Sequence, residues 1–511
     1  MHPAQSALLI PLALAVLATG CATDTATTGA AAPDRAVSGV REHPEAAPVP
    51  ARPTEPGVPP TERPEQPPVQ NPWVDTSEDN RSTFALDVDT GSFTRARAKV
   101  NSGTRPTPSE VRTEEFINYL DQCYRPPRDG LSVHLDGTAV PYLEAPDTRV
   151  IRVGVQAAVV DQATRPRAHL TFVIDISGSM RGPGKLDLVK TSLTELVGSL
   201  RPDDTVAVVV YSDDTRIVLE PTEARHDRRI VGVIDDLDTE GSTNAEAGLK
   251  LGYESALENR REGDLNRVVL LSDGVANVGR TGPEGILETI GEASRRKVDL
   301  VTVGFGLGAY NDTLMEQLAD RGNGFHAYVD NDREARRIFT ENLTGTLVVT
   351  ARDAKAQVTF DPDQVVSYRL LGYENREVAD DDFRDDAVDG GELGAGHSAT
   401  ALYEVRLAER SMPARPLATA EIRYQHPDTG AAVERKADFF RSAFAATPEE
   451  ADPHLQATIA AAGLAEEFRG GPWAAHRTPT QLAADAAAAA NRTDEQSIRE
   501  LAEVADLAAR I

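Results

Sequence analysis

Short apolar runs alternate with helical patterns between residues 166 and 347, and this alternation limits the possible folds more than any other feature. The run 170–174 and the run 205–211 are rich in β-branched and aromatic residues, as buried strands are. Between them, residues 185–200 carry apolar side chains at helical spacing. Repeated β-α units of this kind predict an α/β fold with a doubly wound, mostly parallel sheet between layers of helices.

The remaining elements of this region follow from the same periodicities. We expect further strands at 267–272, 298–305 and 325–329, a short edge strand at 216–219, and helices at 225–237, 244–258, 283–296, 311–321 and 332–345.

Oxygen-bearing side chains lie in loops next to three of these elements. Asp175, Ser177 and Ser179 come directly after the strand 170–174, Asp273 ends the strand 267–272, and Thr243 precedes a predicted helix. In an open parallel sheet the ligand crevice lies outside the carboxyl ends of the strands, so these loops should converge. Hydroxyls with few carboxylates suit Mg²⁺, which takes about six oxygens at about 2.0 to 2.1 Å and keeps some waters.

The region 166–347 resembles a von Willebrand factor type A domain with an intact metal-ion-dependent adhesion site. The resemblance rests on the Asp-x-Ser-x-Ser loop 175–179, on Thr243 and on Asp273. It implies that Asp175, Ser177, Ser179, Thr243 and Asp273 hold Mg²⁺, with Mn²⁺ or Ca²⁺ as alternatives. The segments 71–121 and 370–405 also resemble the flanking parts of a bacterial subfamily of exported, often lipid-anchored proteins.

The resemblance further implies a binding function, in which a protein partner offers an exposed Asp or Glu to the metal. Six residues are predicted to form the rim that contacts the partner: Met180, Arg181, Tyr211, Ser212, Asp213 and Asn277. We expect no enzymatic activity, because Ser, His and Cys constellations with suitable spacing are absent from the sequence. The alternative is a structural or assembly protein of the cell envelope, in which the metal only stabilises the loops.

The N-terminus predicts export. An apolar run at 7–20 ends at Cys21, and residues 1–21 resemble a bacterial lipoprotein signal whose cysteine becomes lipidated. An ordinary secretory signal is the alternative, since no Lys or Arg precedes the apolar run. Residues 22–70 are rich in Pro, Ala and Thr and predict a disordered tether. We therefore expect a lipid anchor in the cell membrane, with the folded part on the extracytoplasmic face.

Charge and glycine patterns exclude two ligand classes. The 511-residue chain has a formal net charge of −28, which argues against a phosphate-binding basic surface and hence against nucleic acid. The glycines at 182–184 and 304–308 lack the spacing of a phosphate loop or a dinucleotide loop, so no nucleotide is expected. We interpret the first as a turn before a helix.

The outer parts of the chain predict three further regions. Residues 71–165 and 348–445 contain alternating, β-branched runs typical of antiparallel sheet. We expect these runs to form one β-sandwich into which the α/β domain is inserted. A single helix is predicted at 108–120. Residues 446–511 are Ala-rich and predict a small cap of three helices.

Four more features have a structural and a functional interpretation. Cys123 is expected to be buried beside Tyr119, Leu120 and Tyr124 rather than to form an intermolecular bridge. The acidic loop 380–389 is interpreted as solvated rather than as a Ca²⁺ site, and His397 as structural. The Asp87-x-Asp89 run resembles part of a phosphatase nucleophile loop, but the other residues that such an enzyme needs cannot be placed in the sequence. We therefore interpret the run as a strand that ends in a turn.

Overall fold

The protein was analysed as a computed structural model that describes residues 70–140, 142–143, 147–274, 290–306, 312–409 and 412–511, the side chains of 312–313 excepted. The strands in this part of the chain are β1 Val74–Asp75, β2 Arg81–Ala85, β3 Leu131–Ala139, β4 Thr148–Ala157, β5 Ala168–Asp175, β6 Thr205–Tyr211, β7 Thr215–Glu223, β8 Leu265–Ser272, β9 Asp299–Phe305, β10 His326–Val329, β11 Val349–Phe360, β12 Val365–Leu371, β13 Gly391–Gly394, β14 Ser398–Leu407, β15 Ala418–Gln425, β16 Ala432–Phe439 and β17 Phe444–Ala445.

The α-helices in the same part of the chain are α1 Gly91–Asn101, α2 Thr113–Asn118, α3 Leu186–Ser199, α4 Asp227–Asp235, α5 Ala245–Asn259, α6 Asp312–Arg321, α7 Asp332–Arg336, α8 Leu343–Leu347, α9 Pro453–Arg469, α10 Pro479–Ala490 and α11 Gln496–Ala508. A π-helical turn, Arg337–Glu341, separates α7 from α8, where the sequence predicts one continuous helix. Residues 290–295 are also helical, as predicted for the helix 283–296, whereas residues 283–289 lie outside the described residues.

A six-stranded sheet in the order β10-β9-β8-β5-β6-β7 forms the α/β part of the molecule. Its strands are parallel except for β7, which pairs antiparallel with β6 at the edge. Apolar side chains of β5 and β8 point alternately into two hydrophobic clusters, one on each face of the sheet. The predicted α/β fold with helices on both faces of a mostly parallel sheet is therefore confirmed. The edge strand predicted at 216–219 is present as the longer β7, whose antiparallel direction was not predicted.

Two further sheets combine strands from both sides of the α/β segment. One has the order β1-β12-β14-β4-β3-β17, and the other has the order β13-β11-β15-β16 with β2 also paired to β11. One hydrophobic cluster joins the two sheets and contains Ile151 and Val153 from β4 together with Val358 and Ile422. Residues before 168 and after 348 thus share both sheets and a core.

Five helices form a separate cluster, and two of them come from the N-terminal flank. Apolar residues of α1 and α2, such as Phe93 and Phe116, pack with α9, α10 and α11. The helical group is therefore larger than the predicted cap of three C-terminal helices, because the sequence pattern does not reveal which distant helix covers an Ala-rich face.

The predicted helix 108–120 is wrong in its extent. Pro108–Glu110 is a 3-10 turn with a capping box between Thr107 and Glu110, whereas α2 begins only at Thr113. The backbone of Arg112 is extended, with φ −118° and ψ 120°, and this separates the two pieces.

The predicted signal 1–21, with Cys21, and almost all of the tether 22–70 lie outside the described residues. Within the described part of the chain, we find no helix that is both long enough and apolar enough to cross a membrane.

Candidate functional site

Asp175 stands at the carboxyl end of β5, and its side chain is fully buried. One carboxylate oxygen accepts a hydrogen bond from the Ser177 backbone N–H at 2.9 Å, and the other accepts from Ser272 Oγ at 2.8 Å. Burial raises the pKa of Asp175, with a smaller contribution from Asp273, while the bonds from Ser177 and Ser272 act against this rise. Asp175 thus fixes the loop that follows β5.

A row of three oxygens crosses the carboxyl ends of β5 and β8. Ser177 Oγ lies 2.9 Å from Ser179 Oγ, and Ser179 Oγ donates to Asp273 Oδ1 at 3.1 Å. Ser177 and Asp273 are fully buried, and Ser179 is half-buried. The sheet therefore brings these side chains together as the ends of two neighbouring parallel strands.

The loop that carries Thr243 is joined to this row through backbone hydrogen bonds. Gly178 N–H donates to Gly241 O at 3.1 Å, and Glu240 N–H donates to Ile176 O at 2.7 Å. Gly241 has φ +64°, and a Cβ there would lie 2.4 Å from Asp213 Oδ2, so this turn needs glycine. Thr243 follows two residues later and is half-buried.

Lys185 also belongs to the site, although the sequence pattern predicted it only as the first residue of the helix 185–200. Its Nζ donates to Asp273 Oδ2 at 2.9 Å and to the Ser179 carbonyl oxygen at 2.7 Å. Its aliphatic chain passes over Gly306, where a Cβ would lie 2.7 Å from Lys185 Cε. An ammonium group therefore neutralises part of the negative charge beside the hydroxyls.

The donor set fits a hard divalent cation. Oxygens that bind Mg²⁺ at about 2.0 to 2.1 Å in an octahedron are about 2.9 Å apart when they are adjacent. The separations of 2.9 Å and 3.1 Å along the row are close to this value. That a metal binds here, and which residues hold it, stays a prediction.

Three residues predicted at the rim are buried instead. Met180 and Tyr211 are fully buried in the clusters on the two faces of the sheet, and Ser212 is 2% exposed. The prediction is wrong for these residues because closeness in sequence to the loop does not determine whether a side chain points inward. The loop residues Arg181 and Asp213 are exposed, and Asn277 lies outside the described residues.

The prediction that Cys123 is buried is also wrong. Cys123 is exposed, with φ +49°, and its Sγ lies 3.2 Å from Glu495 Oε1. Partial burial, together with Glu495 and Asp121, raises the pKa of Cys123 to about 12. Tyr119 and Leu120 pack in the helical cluster, and Tyr124 stacks on His134. The cysteine itself follows the end of α2 and faces carboxylates.

The acidic loop and His397 have protein partners that fit their structural interpretation. Asp386 is exposed and pairs with Arg423 at 2.7 Å. The His397 ring stacks edge-on against Phe325, with centroids 5.4 Å apart, and leaves no room for a Cβ on Gly345. Burial lowers the pKa of His397 to about 4, so the ring is neutral at physiological pH.

Asp87 and Asp89 belong to a buried charge cluster around Arg376. The Nη2 atom of Arg376 lies 3.6 Å from Asp87 Oδ1 and 3.8 Å from Asp89 Oδ2. The same Nη2 lies 3.0 Å from Glu316 Oε1, and Nη1 lies 3.1 Å from Asp320 Oδ2. Asp89 Oδ1 also accepts from a backbone N–H of β10. These contacts join the loop after β2 to α6 and to the segment after β12.

The fold and the arrangement of loops define a von Willebrand factor type A domain protein of the bacterial type. The von Willebrand factor type A domain family matches residues 169–342, and a second family described as von Willebrand factor matches residues 64–152. The family described as "Uncharacterized protein YfbK, C-terminal" matches residues 345–511.

Among individual proteins, the chain is similar to the uncharacterized protein YfbK of Escherichia coli. The two are 37% identical over 345 residues, which is 66% of this chain and 60% of YfbK. Human inter-alpha-trypsin inhibitor heavy chain H3 is 32% identical over 178 residues, or 33% of this chain and 19% of that protein. The chain thus spans less than two thirds of the length of each of these relatives. A solved von Willebrand factor type A structure from Catenulispora acidiphila is 14% identical in sequence to this chain, with a TM-score of 0.40. The match covers 71% of this chain and 86% of the solved chain.

Proposed function

We propose that this chain is a membrane-anchored, extracytoplasmic binding protein that captures a protein partner through a Mg²⁺-type adhesion site. A von Willebrand factor type A domain points in general to a role in protein interaction or adhesion. The observation that carries the finer proposal is the row of oxygens from Ser177 through Ser179 to Asp273, whose spacing matches adjacent positions of an octahedron. Asp175 and Thr243 complete the proposed ligand set, and Cys21 is the proposed site of lipid attachment.

The chain's own residues would prepare this site for an acidic partner. A bound Mg²⁺ would supply a positively charged coordination position for a carboxylate, with Mn²⁺ or Ca²⁺ as alternatives. Ser177 and Ser179 contribute neutral hydroxyls, so only Asp175 and Asp273 oppose the positive charge. The exposed side chain of Arg181, whose Nε lies 3.3 Å from Thr239 Oγ1, stands at the rim where it can pair with an Asp or Glu of the partner.

Binding rather than catalysis is the role proposed for this site. Lys185, a basic side chain that contacts the site, is engaged with Asp273 and with the Ser179 carbonyl oxygen. The second candidate is a structural or assembly protein whose metal only stabilises the loops. The direct backbone bonds between the loops at Gly178 and Gly241 favour this candidate, since a metal at their junction would tighten the same contact.

Isothermal titration of the purified protein with Mg²⁺, Mn²⁺ and Ca²⁺ tests the metal site first. We expect Ser177→Ala to weaken binding at least tenfold, because it removes a ligand oxygen. Thr191→Ala is the matched control, since this exposed hydroxyl on α3 bonds only to the Asp187 carbonyl oxygen among the partners described. Equal metal affinity in the Ser177 and Thr191 variants would contradict the proposed ligand set.

A pull-down from envelope extracts, with and without chelator, then separates the two candidate functions. If the protein captures a partner, chelation and Ser177→Ala should abolish co-purification while the melting temperature changes little. If the metal is structural, co-purification should persist and the melting temperature should fall. Partner recovery equal in the Ser177→Ala protein and the unmodified protein would sink the capture mechanism.

A further inference from the structure

Three side chains with metal-binding atoms meet in a cluster that shares no residue with the adhesion site. Cys123 follows α2, His454 is the second residue of α9, and Glu495 immediately precedes α11. One ligand atom from each of them lies within 4.8 Å of the others. Cys123 Sγ and Glu495 Oε1 are 3.2 Å apart.

His454 is held by one ring nitrogen and leaves the other without a partner in the described part of the chain. Its Nδ1 lies 2.9 Å from Asp452 Oδ1, and this contact holds the ring in one orientation. Its Nε2 is buried and has no hydrogen-bond partner among the described residues. A carboxylate on one ring nitrogen, with the other nitrogen left for the ion, is the usual arrangement around a histidine ligand. A buried nitrogen without a partner is costly unless something binds it.

The charge around the thiol favours a cation. Glu495 and Asp121 both interact with Cys123, and Asp121 Oδ1 accepts the Cys123 backbone N–H at 2.9 Å. Asp452 adds a further carboxylate behind His454. Sulfur, imidazole nitrogen and carboxylate oxygen together are a donor set that Zn²⁺ takes, unlike the all-oxygen set at the adhesion site.

We propose that Cys123, His454 and Glu495 form a Zn²⁺ site that is separate from the adhesion site. Zn²⁺ binds such ligands at about 2.0 to 2.3 Å, so tetrahedral ligand atoms lie roughly 3.3 to 3.8 Å apart. Cys123 Sγ and Glu495 Oε1 are already 3.2 Å apart. Because all three ligand atoms lie within 4.8 Å of one another, His454 needs to move by at most about 1 Å. The Cys123 thiol loses its proton to solvent as the zinc–sulfur bond forms. The fourth position is left to water or an incoming ligand. Because the ligands come from three distant segments, the ion would hold α9 and α11 to the segment after α2.

Cobalt titration of the full chain tests this site through a thiolate-to-cobalt charge-transfer absorption, which Zn²⁺ should abolish by displacement. All variants carry Cys21→Ser, so that Cys123 is the remaining thiol of the chain. We expect Cys123→Ser to remove the absorption and His454→Gln to weaken cobalt binding at least tenfold. His426→Gln, on an exposed turn, is the matched control and should bind as the Cys21→Ser background does.

Two further measurements make the outcome decisive. Circular dichroism without metal shows whether each variant is folded, and Glu495→Gln provides a second ligand variant if Cys123→Ser is not. Ser177→Ala should leave the cobalt absorption unchanged, which separates this site from the adhesion site. A folded Cys21→Ser protein without thiolate absorption, or an absorption that survives in folded Cys123→Ser, would overturn the proposal.

Discussion

Lys185 alters the chemistry expected at the adhesion site. Its ammonium contacts Asp273 Oδ2 and the Ser179 carbonyl oxygen, so a fixed positive charge lies against two of the groups at the proposed metal site. Asp273 is fully buried, and the lysine side chain is 17% exposed. Solvent screens the charges of this buried ion pair only weakly. The Lys185 ammonium therefore repels a second cation more strongly than a surface lysine would.

Replacing Lys185 by methionine should therefore strengthen divalent cation binding. We expect Lys185→Met to raise Mg²⁺ affinity about tenfold, or about 1.4 kcal/mol, as measured by isothermal titration. Lys190→Met is the control, because Lys190 lies in α3, the helix that directly follows Lys185, and its Nζ bonds to the Asp235 carbonyl oxygen. Unchanged or weaker Mg²⁺ binding in Lys185→Met would mean that the lysine supports the site rather than competing for it.

Between elements, buried arginines connect the α/β part to its flanks. Arg97 of α1 contacts Glu334 of α7 at 2.8 Å and Glu500 of α11 at 2.6 Å. Arg376 likewise connects the loop after β2 to α6 by pairing with Asp87 and Glu316. Removing one member of such a buried cluster leaves uncompensated charges, which is more damaging than breaking a surface pair.

Removal of the Arg376 charge should thus be strongly destabilising. We expect Arg376→Met to lower the free energy of unfolding by about 3 to 5 kcal/mol in urea denaturation, because Asp87 and Asp89 lose the arginine that pairs with them, while Glu316 keeps its pair with Arg112. Arg384→Met is the matched control, since Arg384 is 57% exposed and pairs with Glu434 at 2.9 Å. That change should cost at most about 1 kcal/mol. Similar losses in both variants would argue against a cooperative role for the buried cluster.

For the whole molecule, the order of strands joins the segment before the α/β region to the segment after it. β4 lies between β14 and β3, and β2 pairs with β11, so the sheets that contain residues 348–445 also need residues before 168. Without β2, β3 and β4, the hydrophobic cluster between the two sheets would face solvent along one side.

The fragment 348–445 should therefore fail to fold alone. Expressed by itself, it is expected to show no cooperative unfolding transition in urea, because burial of its apolar side chains depends on β4. The fragment 70–511 is the control and should unfold cooperatively. A cooperative transition in the short fragment would refute the idea that the α/β domain is inserted into one β-sandwich.

Prediction from sequence succeeded where periodicity or strand polarity alone decides the outcome. Parallel strands place their carboxyl ends at one edge, so Asp175 and Asp273 could be expected to meet before any coordinates were known. The edge strand β7 followed from its short apolar run. Burial at the rim could not be predicted in the same way, because Met180 and Tyr211 turn toward opposite faces of the sheet within the tertiary packing.

By itself, the sequence determined the α/β fold and the row of oxygens at the end of the sheet, because both depend on local periodicity and on the direction of strands. Only the tertiary structure decided what surrounds them. Lys185 reaches Asp273 across 88 positions of the chain, and Cys123 meets Glu495 across 372. No local pattern encodes such contacts, since they arise when separately formed elements pack against each other and bring their charges together.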